Sequence, residues 1–511
     1  MGRINTNVQS LIGQRVLGQN NASLNTSLER LSTGLKINRG KDDPAGLIAS
    51  ENLGSEQKAL NQAISNADRA DQVANIAEGG LQEVSNLLTE LQGLVTGSAS
   101  TSGLSKDEKD ANQLQVDSIL QTIDRVSSAT NFQGIKLLNG NFDFKVSGVA
   151  AGVTDFRVNA AKYSGKSLSV DVQVTTSAQQ GGLFLSAGGS AIDTNTGSAF
   201  TIEIGGSQGS RELSFSSGTT LAKIKDAINS FTDVTGVSAV VSGTGILLKS
   251  SEFGSDQFVS VKVLNSAGIN STTNGDNATP TRGVYNRQAS AFNSNNTTIN
   301  STFANASNAI IDYGQDIKAS VNGIAATANG KTLRVNSDFL DVQLTLNTST
   351  AQALGQVGSG SAFTITGGGA TFQLASKVDI AGKVSLGIQD VATRKLGNSD
   401  IGYLSALASG NSNNVVSGDT TGAQKIVSEA IKQVSSLRGR IGAFQKNTVG
   451  ATIRSLGVSV ENTAAAQSSI RDADFAAETA NLTRSQILVS ASTQVLQLAN
   501  QAPQSALQLL G

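Results

Sequence analysis

The chain has 511 residues with 38 basic and 39 acidic side chains, and it contains no cysteine and no histidine. This balanced charge gives no reason to expect nucleic acid or an anionic membrane as the main partner, and no apolar run is long enough for a membrane span. Without cysteine and histidine, thiol nucleophiles, histidine-dependent triads and nearly all zinc or copper sites are excluded. Catalysis by carboxylates alone stays possible, but it needs a pair of carboxylates and the spacing identifies none, so we expect no enzyme, no cofactor and no metal site.

The first predicted helix runs from about Val8 to Leu35. Its leucines step by four, three and four residues and so share one helix face: Leu24, Leu28, Leu31 and Leu35. Gly34 suggests where this helix ends. A second helix should follow, because Asp43 is a good N-cap and Pro44 fits the first turn, where its missing N–H has no partner anyway.

The second helix is predicted to continue into a heptad seam from Leu60 to Val95. Two apolar columns repeat every seven residues: Ala63, Ala70, Ala77, Val84 and Leu91, and Ala67, Ala74, Leu81, Leu88 and Val95. Such a seam is typical of a coiled coil, and at about 1.5 Å per residue it is roughly 50 Å long, so it needs long partner helices. The candidate partners are Val116–Val126 and Val427–Ala451. The predicted trunk seam consists of Leu81, Val84, Leu88, Leu91, Val95, Val434, Leu437 and Ile441.

Between about Phe132 and Gly402 the spacing changes to alternation, and Gly, Ser, Thr and Asn become dense, which predicts β-strands. Residues 199–263 follow a β-β-α-β-β-β pattern. Residues 265–308 are mostly Asn, Ser, Thr and Gly and are predicted to form a long surface loop. Further strands are predicted at 319–326, 332–335, 342–346, 363–366 and 384–388. We expect one or two β-rich domains here.

Helical spacing returns after Gly422, and a last helix is predicted from Glu461 to Leu510. Its apolar column consists of Phe475, Leu482, Val489 and Leu496. The predicted fold is therefore mainly α at both ends, with long coiled-coil-like helices packed together and a β-rich α+β insertion in the middle. Acidic clusters at 107–110 and 472–474 are interpreted as charge at helix starts rather than as a site.

Motifs at both ends resemble those of the bacterial flagellins. They are Ile4-Asn5-Thr6-Asn7, residues 28–38 (LERLSTGLKIN), residues 41–47 (KDDPAGL), residues 468–476 (SSIRDADFA) and residues 497–504 (QLANQAPQ). The resemblance covers roughly residues 1–140 and 420–511, and residues 197–265 are similar to an insertion motif of such filament proteins. It implies a structural subunit that polymerises into the flagellar filament for swimming motility.

The resemblance also implies a division by role. Residues 1–42 with 461–511 are the terminal coiled coil of the filament core, which orders on assembly. Residues 43–145 with 403–460 are the helical trunk, and residues 146–402 are the solvent-exposed variable region. The assembly residues are then the two terminal columns, Leu24, Leu28, Leu31, Leu35, Phe475, Leu482, Val489 and Leu496.

The implied partners are other copies of the chain and, by family likeness, an export chaperone, the filament cap and the hook-junction proteins. The first 20 residues lack the apolar core of a signal peptide. Export through a dedicated channel without a cleaved signal peptide, to an extracellular flagellum, is the expectation. Glu90 and Gln115 stand where flagellins recognised by animal innate receptors carry arginine and glutamate, which argues against such recognition although Leu94 is kept.

Two other functions stay open from the sequence. A hook–filament junction protein has similar ends, but it should not form long filaments by itself. A surface adhesin on a helical stalk is supported only by the β-rich middle.

Overall fold

A computed structural model describes residues 6–100, 103–194, 197–269, 282–287, 297–303 and 305–508. The chain divides into two compact units: unit 1 comprises residues 1–72, 372–383 and 443–511, and unit 2 comprises residues 73–371 and 384–442. Over the described residues, no helix combines the length and the apolar character needed to cross a membrane.

Long helices form near both ends of the chain and short ones in the middle, which confirms the predicted fold class. In chain order the helices are α1 Val8–Thr33, α2 Pro44–Ser98, α3 Lys106–Ala129, α4 Leu221–Asn229, α5 Thr232–Thr235, α6 Thr348–Gln352, α7 Thr420–Ala443, α8 Gly450–Arg471 and α9 Phe475–Gln508. A 3₁₀ turn spans Leu404–Leu407, and a π-helix spans Phe444–Val449 between α7 and α8.

The predicted heptad seam lies on one continuous helix, α2. This helix begins where it was expected to begin. Asp43 lies just before the first turn, and its Oδ1 accepts a hydrogen bond of 2.9 Å from the Gly46 backbone N–H within that turn. All ten residues of the two apolar columns are at most 2% exposed. The seven-residue repeat therefore identified the buried face of α2 without any other information.

In unit 2, α3 and α7 bury apolar faces of their own. The buried apolar residues are Val116, Ile119, Leu120 and Ile123 on α3, and Ala423, Ile426, Val427, Ala430, Val434, Leu437 and Ile441 on α7. Arg438 joins α7 to α2, since its Nε lies 2.8 Å from Glu78 Oε1. This pair is only partly buried, so we assign the stability of the helical part mainly to the apolar faces.

Two buried amide side chains hold the segment around residues 397–415 against these helices. Gln113 of α3 donates to Leu407 O at 2.9 Å and accepts from the Val415 N–H at 2.8 Å. Gln433 of α7 donates to Gly397 O at 2.9 Å and accepts from the Gly397 N–H at 3.0 Å. Each amide satisfies two backbone groups that burial would otherwise leave unpaired.

The prediction of a single last helix from Glu461 is wrong. The chain leaves helical geometry at Asp472, and α9 starts afresh at Phe475. Asp474 Oδ1 accepts from the backbone N–H groups of Ala476 at 2.8 Å and Ala477 at 3.2 Å, so Asp474 caps the new helix. Helical periodicity on both sides concealed the break, because three residues change the spacing little. Leu510 lies outside the described residues.

The middle of the chain is β-rich. Its strands are β1 Asn131–Phe132, β2 Ile135–Lys136, β3 Phe144–Ser147, β4 Val153–Ala161, β5 Leu168–Val170, β6 Val172–Thr176, β7 Gly182–Ser186, β8 Phe200–Gly206, β9 Gly209–Phe215, β10 Val237–Ser242, β11 Gly245–Ser250, β12 Phe258–Asn265, β13 Gly283–Arg287, β14 Thr297–Ser301, β15 Ile310–Tyr313, β16 Lys318–Val321, β17 Ile324–Ala325, β18 Thr327–Asn329, β19 Thr332–Asn336, β20 Leu340–Leu346, β21 Gly355–Gln356, β22 Phe363–Gly368, β23 Ala370–Gln373, β24 Lys383–Leu386, β25 Gly397–Asn398 and β26 Gly402–Tyr403.

These strands enclose two hydrophobic cores. The first core is covered by the sheets β17-β16-β6-β21, β18-β19-β20-β4 and β3-β22-β5, and the second by β10-β11-β7-β13-β14 and β15-β12-β8-β9. The chain enters the second core after Gln179 and leaves it before Gln315. These two residues exchange backbone hydrogen bonds of 2.8 and 2.9 Å. The second core is thus an insertion into the first, joined by two chain segments that pair at Gln179 and Gln315.

The predicted β-β-α-β-β-β pattern matches β8, β9, α4, β10, β11 and β12, with the one-turn helix α5 added. Within the part of the chain that the structure describes, β10 pairs with β11 alone, and Asn229 of α4 closes its other side. The Asn229 amide donates to Ala239 O at 3.0 Å and accepts from the Ala239 N–H at 2.7 Å. A side chain therefore takes the place of a neighbouring strand and blocks further pairing there.

The prediction of one long surface loop over residues 265–308 is wrong in its described part. β13 pairs with β7, and Val284 is fully buried in the second core. A strand this short gives too little alternation to stand out from polar surroundings. Residues 270–281 and 288–296 lie outside the described residues.

The strand predicted over residues 319–326 is a hairpin of β16 and β17. Asn322 and Gly323 form its turn, with φ of 49° and 79°. Two successive positive φ values suit the two-residue turns of tight hairpins, and Asn-Gly is the pair that adopts them best.

Candidate assembly surfaces

Within unit 1, α1 and α9 run antiparallel to each other. Successive positions of α1 meet positions of α9 in the reverse order, as a side-by-side antiparallel pair requires. The polar contacts are Asn7 Nδ2 to Ala499 O at 2.8 Å, Asn20 Nδ2 to Ser492 Oγ at 2.7 Å, and Arg30 Nη1 to Glu478 Oε2 at 3.9 Å. The two ends of the chain therefore pair within one subunit.

The buried positions of this helix pair are small or polar. Among the side chains that the structure describes, they are Ser10, Gly13 and Ser27 on α1 and Glu478, Ser485 and Ser492 on α9. Ten large apolar side chains of the pair are 37–69% exposed: Val8, Leu11, Ile12, Val16, Leu28, Phe475, Ile487, Leu488, Val495 and Leu498. We call these ten residues the terminal apolar face. Large apolar side chains exposed in this number on one helix pair favour an interaction surface.

The predicted assembly residues divide between the two surfaces. Leu28 and Phe475 belong to the terminal apolar face. The others are half-buried along the α1–α9 contact: Leu24, Leu31, Leu35, Leu482, Val489 and Leu496. Gly13 allows a close approach there, since a Cβ at this residue would lie 3.2 Å from Leu496 Cδ1. That these residues mediate assembly stays a prediction.

A short backbone bracket closes one end of the α1–α9 pair. Ala473 N–H donates to Gly34 O at 2.9 Å, and Lys36 N–H donates to Arg471 O at 2.7 Å. Gly34 adopts a φ of 72°, which ends α1 in the left-handed conformation that glycine adopts without strain. The sequence signal for this bracket was Gly34 on one side and the acidic cluster around Asp472 on the other, but nothing in it indicated that the two would meet.

All eight predicted trunk-seam residues lie in unit 2 and are at most 2% exposed: Leu81, Val84, Leu88, Leu91, Val95, Val434, Leu437 and Ile441. Their role as a trunk in the assembled protein stays a prediction. Glu90 on α2 and Gln115 on α3 are exposed, and Leu94 on α2 is half-buried. Among the residues described, no group of three or more acidic side chains is placed to hold a metal ion.

A buried charged cluster lies beside a cavity of about 260 Å³ in unit 2. The Arg440 side chain binds the Asn159 amide oxygen, and Asn159 Nδ2 donates to Asp341 Oδ1 at 3.0 Å. Burial lowers the pKa of Arg440 to about 10. Burial also raises the pKa of the Asp143 carboxyl to about 6, although the Phe144 N–H and Arg440 favour its charged form.

We predict that Asp143→Asn stabilises unit 2 at pH 8 by about 2 kcal/mol. The folded pKa of about 6 lies above the ordinary value of 3.8, so the folded state binds the proton more tightly than the unfolded state does. The contribution of Asp143 to the free energy of unfolding is therefore most favourable at low pH, and it is lost as the pH rises through 6. Asparagine removes the buried charge and keeps an oxygen for the Phe144 N–H.

Urea unfolding at several pH values between 4 and 8 would measure this effect. The gain should shrink as pH falls from 6 towards 4, while Asp193→Asn, at an exposed carboxyl, should show no such dependence. An equal gain at all pH values would show that the Asp143 charge is not its cause.

Models of known protein families match both ends of the chain and part of its middle. The model described as the bacterial flagellin N-terminal helical region matches residues 4–143, and the one described as the bacterial flagellin C-terminal helical region matches residues 424–510. The flagellin hook IN motif matches residues 199–252. Flagellin from Salmonella typhimurium is 30% identical over 532 residues, covering 99% of each chain. The chain belongs to the bacterial flagellins.

A second flagellin matches this flagellin over its whole length, and some solved structures show weaker similarity. The B-type flagellin of Pseudomonas aeruginosa is 30% identical over 570 residues and also covers 99% of both chains. Among solved structures, the flagellar cap protein FliD D2-D3 domains from Escherichia coli show 19% identity and a TM-score of 0.24, covering 44% of this flagellin and 97% of that chain. Xanthomonas campestris FlgL shows 12% identity and a TM-score of 0.25, covering 80% and 98%.

As a flagellin, the chain is a structural subunit that polymerises into the extracellular filament of the bacterial flagellum. The family resemblance deduced from the two ends is thereby confirmed. The junction-protein and adhesin alternatives are not favoured, since the curated relatives that span the chain are flagellins.

Proposed function

We propose that this flagellin assembles by covering the terminal apolar face of each subunit with the terminal helices of neighbouring copies. The observation that supports this is the burial in the α1–α9 pair, where the buried positions are serine, glycine and glutamate and ten large apolar side chains are exposed. Burying one such aliphatic side chain contributes about 1.5–3 kcal/mol. Burial of the terminal apolar face would therefore contribute a large favourable free energy, and this contribution arises only when another surface covers the face.

The pairing of α1 and α9 depends on this cover. Ordering the backbone costs about 1–2 kcal/mol per residue, and α9 has 34 residues, while its contact with α1 leaves the large apolar side chains of α9 half-buried or exposed. Folding of the ends should therefore be coupled to assembly. A head-to-tail contact that does not close then gives an open helical filament.

The division by role predicted from the sequence belongs to this proposal. Residues 1–42 with 461–511 form the filament core, residues 43–145 with 403–460 the trunk, and residues 146–402 the variable region that faces solvent. The eight predicted assembly residues and the eight trunk-seam residues act within the first two of these. The chain works by association alone, without catalysis, and meets an export chaperone, the filament cap and the hook-junction proteins as other flagellins do.

A test substitutes the terminal apolar face at one residue. Leu498→Ser should raise the critical concentration for elongation from filament seeds about tenfold, because the transfer of a leucine side chain from water is lost. The matched control is Leu354→Ser, since Leu354 is 68% exposed against 69% for Leu498 but lies in the β-rich region. Sedimentation of polymer at graded subunit concentrations would measure both. Equal critical concentrations for the two variants would refute the proposed role of the face.

A further inference from the structure

The junction between the two β cores carries contacts beyond the backbone hydrogen bonds of Gln179 and Gln315. Residues 251–257 join β11 to β12 in the second core, and we call them the docking loop. The Gly254 N–H of this loop donates to Gln179 O at 3.2 Å. The second core is thus held at a third chain segment as well as at its two ends.

The docking loop places an aromatic side chain on the first core. Phe253 is half-buried and packs against the apolar residues of that core, although the strands on either side of it belong to the second core. Lys331 Nζ, from the turn between β18 and β19, lies 5.4 Å from the centre of the Phe253 ring, within the range of a cation–π attraction. One side chain of the inserted segment therefore contributes to the packing of the host core.

The Asp316 carboxylate binds both sides of this contact. Asp316 lies in the connection that returns from β15 of the second core to β16 of the first. Its Oδ1 accepts from the Gly330 N–H of the first core at 2.7 Å and from the Ser255 N–H of the docking loop at 3.2 Å. Its Oδ2 accepts from the Ser255 hydroxyl. One carboxylate therefore joins the docking loop to a turn of the first core.

The hydrogen bonds to Asp316 favour its charged form. Partial burial acts to raise the pKa of Asp316, but the Ser255 hydroxyl and the N–H groups of Gly330 and Ser255 outweigh burial and hold the pKa below its ordinary value. Hydrogen bonds to an ionised acceptor are about twice as strong as those between neutral groups. At neutral pH the ionised carboxylate is therefore a strong acceptor for both segments.

The backbones at this point lie too close together for an added side chain. A Cβ at Gly254, where φ is 123°, would lie 2.7 Å from Asp316 Oδ1 and 2.9 Å from the Gly330 nitrogen. Segments packed at this distance have little room to slide past each other.

We propose that Asp316 and the docking loop form a clamp that fixes the orientation of the second core on the first. Without the Asp316 carboxylate, the connection at Gln179 and Gln315 acts as a hinge. Domains of one chain move relative to each other unless an interface holds them, and two chain crossings at one place leave rotation about that place open. Phe253 supplies the apolar contact, and Asp316 fixes the position of the loop that carries it. The clamp thus sets the direction in which the second core projects.

The absence of cysteine from the sequence allows a direct measurement on the full-length chain. Gln173→Cys in β6 and Ala222→Cys in α4 place one exposed nitroxide label on each core, and pulsed electron paramagnetic resonance gives the distribution of distances between them. With the clamp intact this distribution should be single and narrow. Asp316→Ala should broaden it at least about twofold, because the hinge is released. The matched control is Asp193→Ala, at an exposed carboxyl of the second core, which should leave the width unchanged.

A second pair of labels separates a released hinge from a loss of folding. Gln208→Cys and Ala222→Cys place both labels on the second core, and Asp316→Ala should not broaden the distribution between them. If Asp316→Ala does broaden it, Ser255→Ala decides instead. That variant removes the hydroxyl that binds the Asp316 carboxylate and keeps the Ser255 backbone donor, and it should broaden the distribution between the two cores alone.

A distribution between the two cores that stays as narrow in Asp316→Ala as in the unsubstituted clamp would overturn the proposal. The same holds if Asp193→Ala broadens that distribution to an equal width, because the effect would then not depend on the carboxylate that joins the two segments.

Discussion

A chain shortened to end at Arg471 is expected to add no subunits to filament seeds while unit 2 keeps its fold. The truncation removes α9 and with it five residues of the terminal apolar face, Phe475, Ile487, Leu488, Val495 and Leu498. It also leaves α1 without its antiparallel partner. Elongation followed by light scattering should fall below detection, whereas the unsubstituted chain elongates.

The cut at Arg471 is chosen because α8 ends there and Asp472–Asp474 already interrupt the helix. Unit 2 contains none of the deleted residues, so its thermal unfolding should keep its midpoint and amplitude. Removal of α1 by deleting the residues before Gly34 should give the same loss of elongation. Growth of either truncated chain on seeds at the unsubstituted rate would contradict the role assigned to the helix pair.

The second large effect is expected in the buried seam. Leu88→Ala should lower the free energy of unfolding of unit 2 by about 3 kcal/mol, because Leu88 is fully buried and alanine leaves a cavity among rigid helices. Urea unfolding followed by far-ultraviolet circular dichroism would measure it. The matched control is Leu114→Ala on α3, where the side chain is 70% exposed and a change within about 0.5 kcal/mol is expected.

If Leu88→Ala lowers the free energy of unfolding by less than about 1 kcal/mol, the seam relaxes around the missing atoms. That result would count against a rigid trunk. A loss as large for Leu114→Ala would show that the effect belongs to the helix as a whole and not to its buried face.

The parts of the fold that depend on local spacing could be predicted from the sequence. The ten column residues of α2 repeat every seven positions, and such a repeat defines a face whatever the partner is. The start of α2 at Asp43 and Pro44 could also be predicted, because helix capping depends on residues close together in the sequence. The match of both chain ends to a known family supplied the function, which periodicity alone did not.

The predictions that were wrong concern contacts between residues that are distant in the sequence. The bracket of Gly34 with Ala473 joins parts of the chain that are far apart in sequence, and it breaks the last helix at a place where the periodicity continues. Similarly, the leucine spacing of α1 identified a face but not its surroundings: Leu28 is exposed while Ser27 beside it is buried. The partner helix decides which of two neighbouring faces of α1 is covered. It covers the face with serine and glycine, because small side chains allow the two helices to approach more closely.

The junction between the two β cores has a consequence for how this flagellin can vary. The chain enters and leaves the second core through Gln179 and Gln315, which are hydrogen-bonded neighbours. The two ends of the inserted segment lie side by side at this pair of residues. The segment can therefore be lengthened, shortened or exchanged for another folded domain without changing the distance between the two residues of the first core to which it is joined. The second core can thus be replaced while the helices at both ends of the chain keep one sequence and one partner.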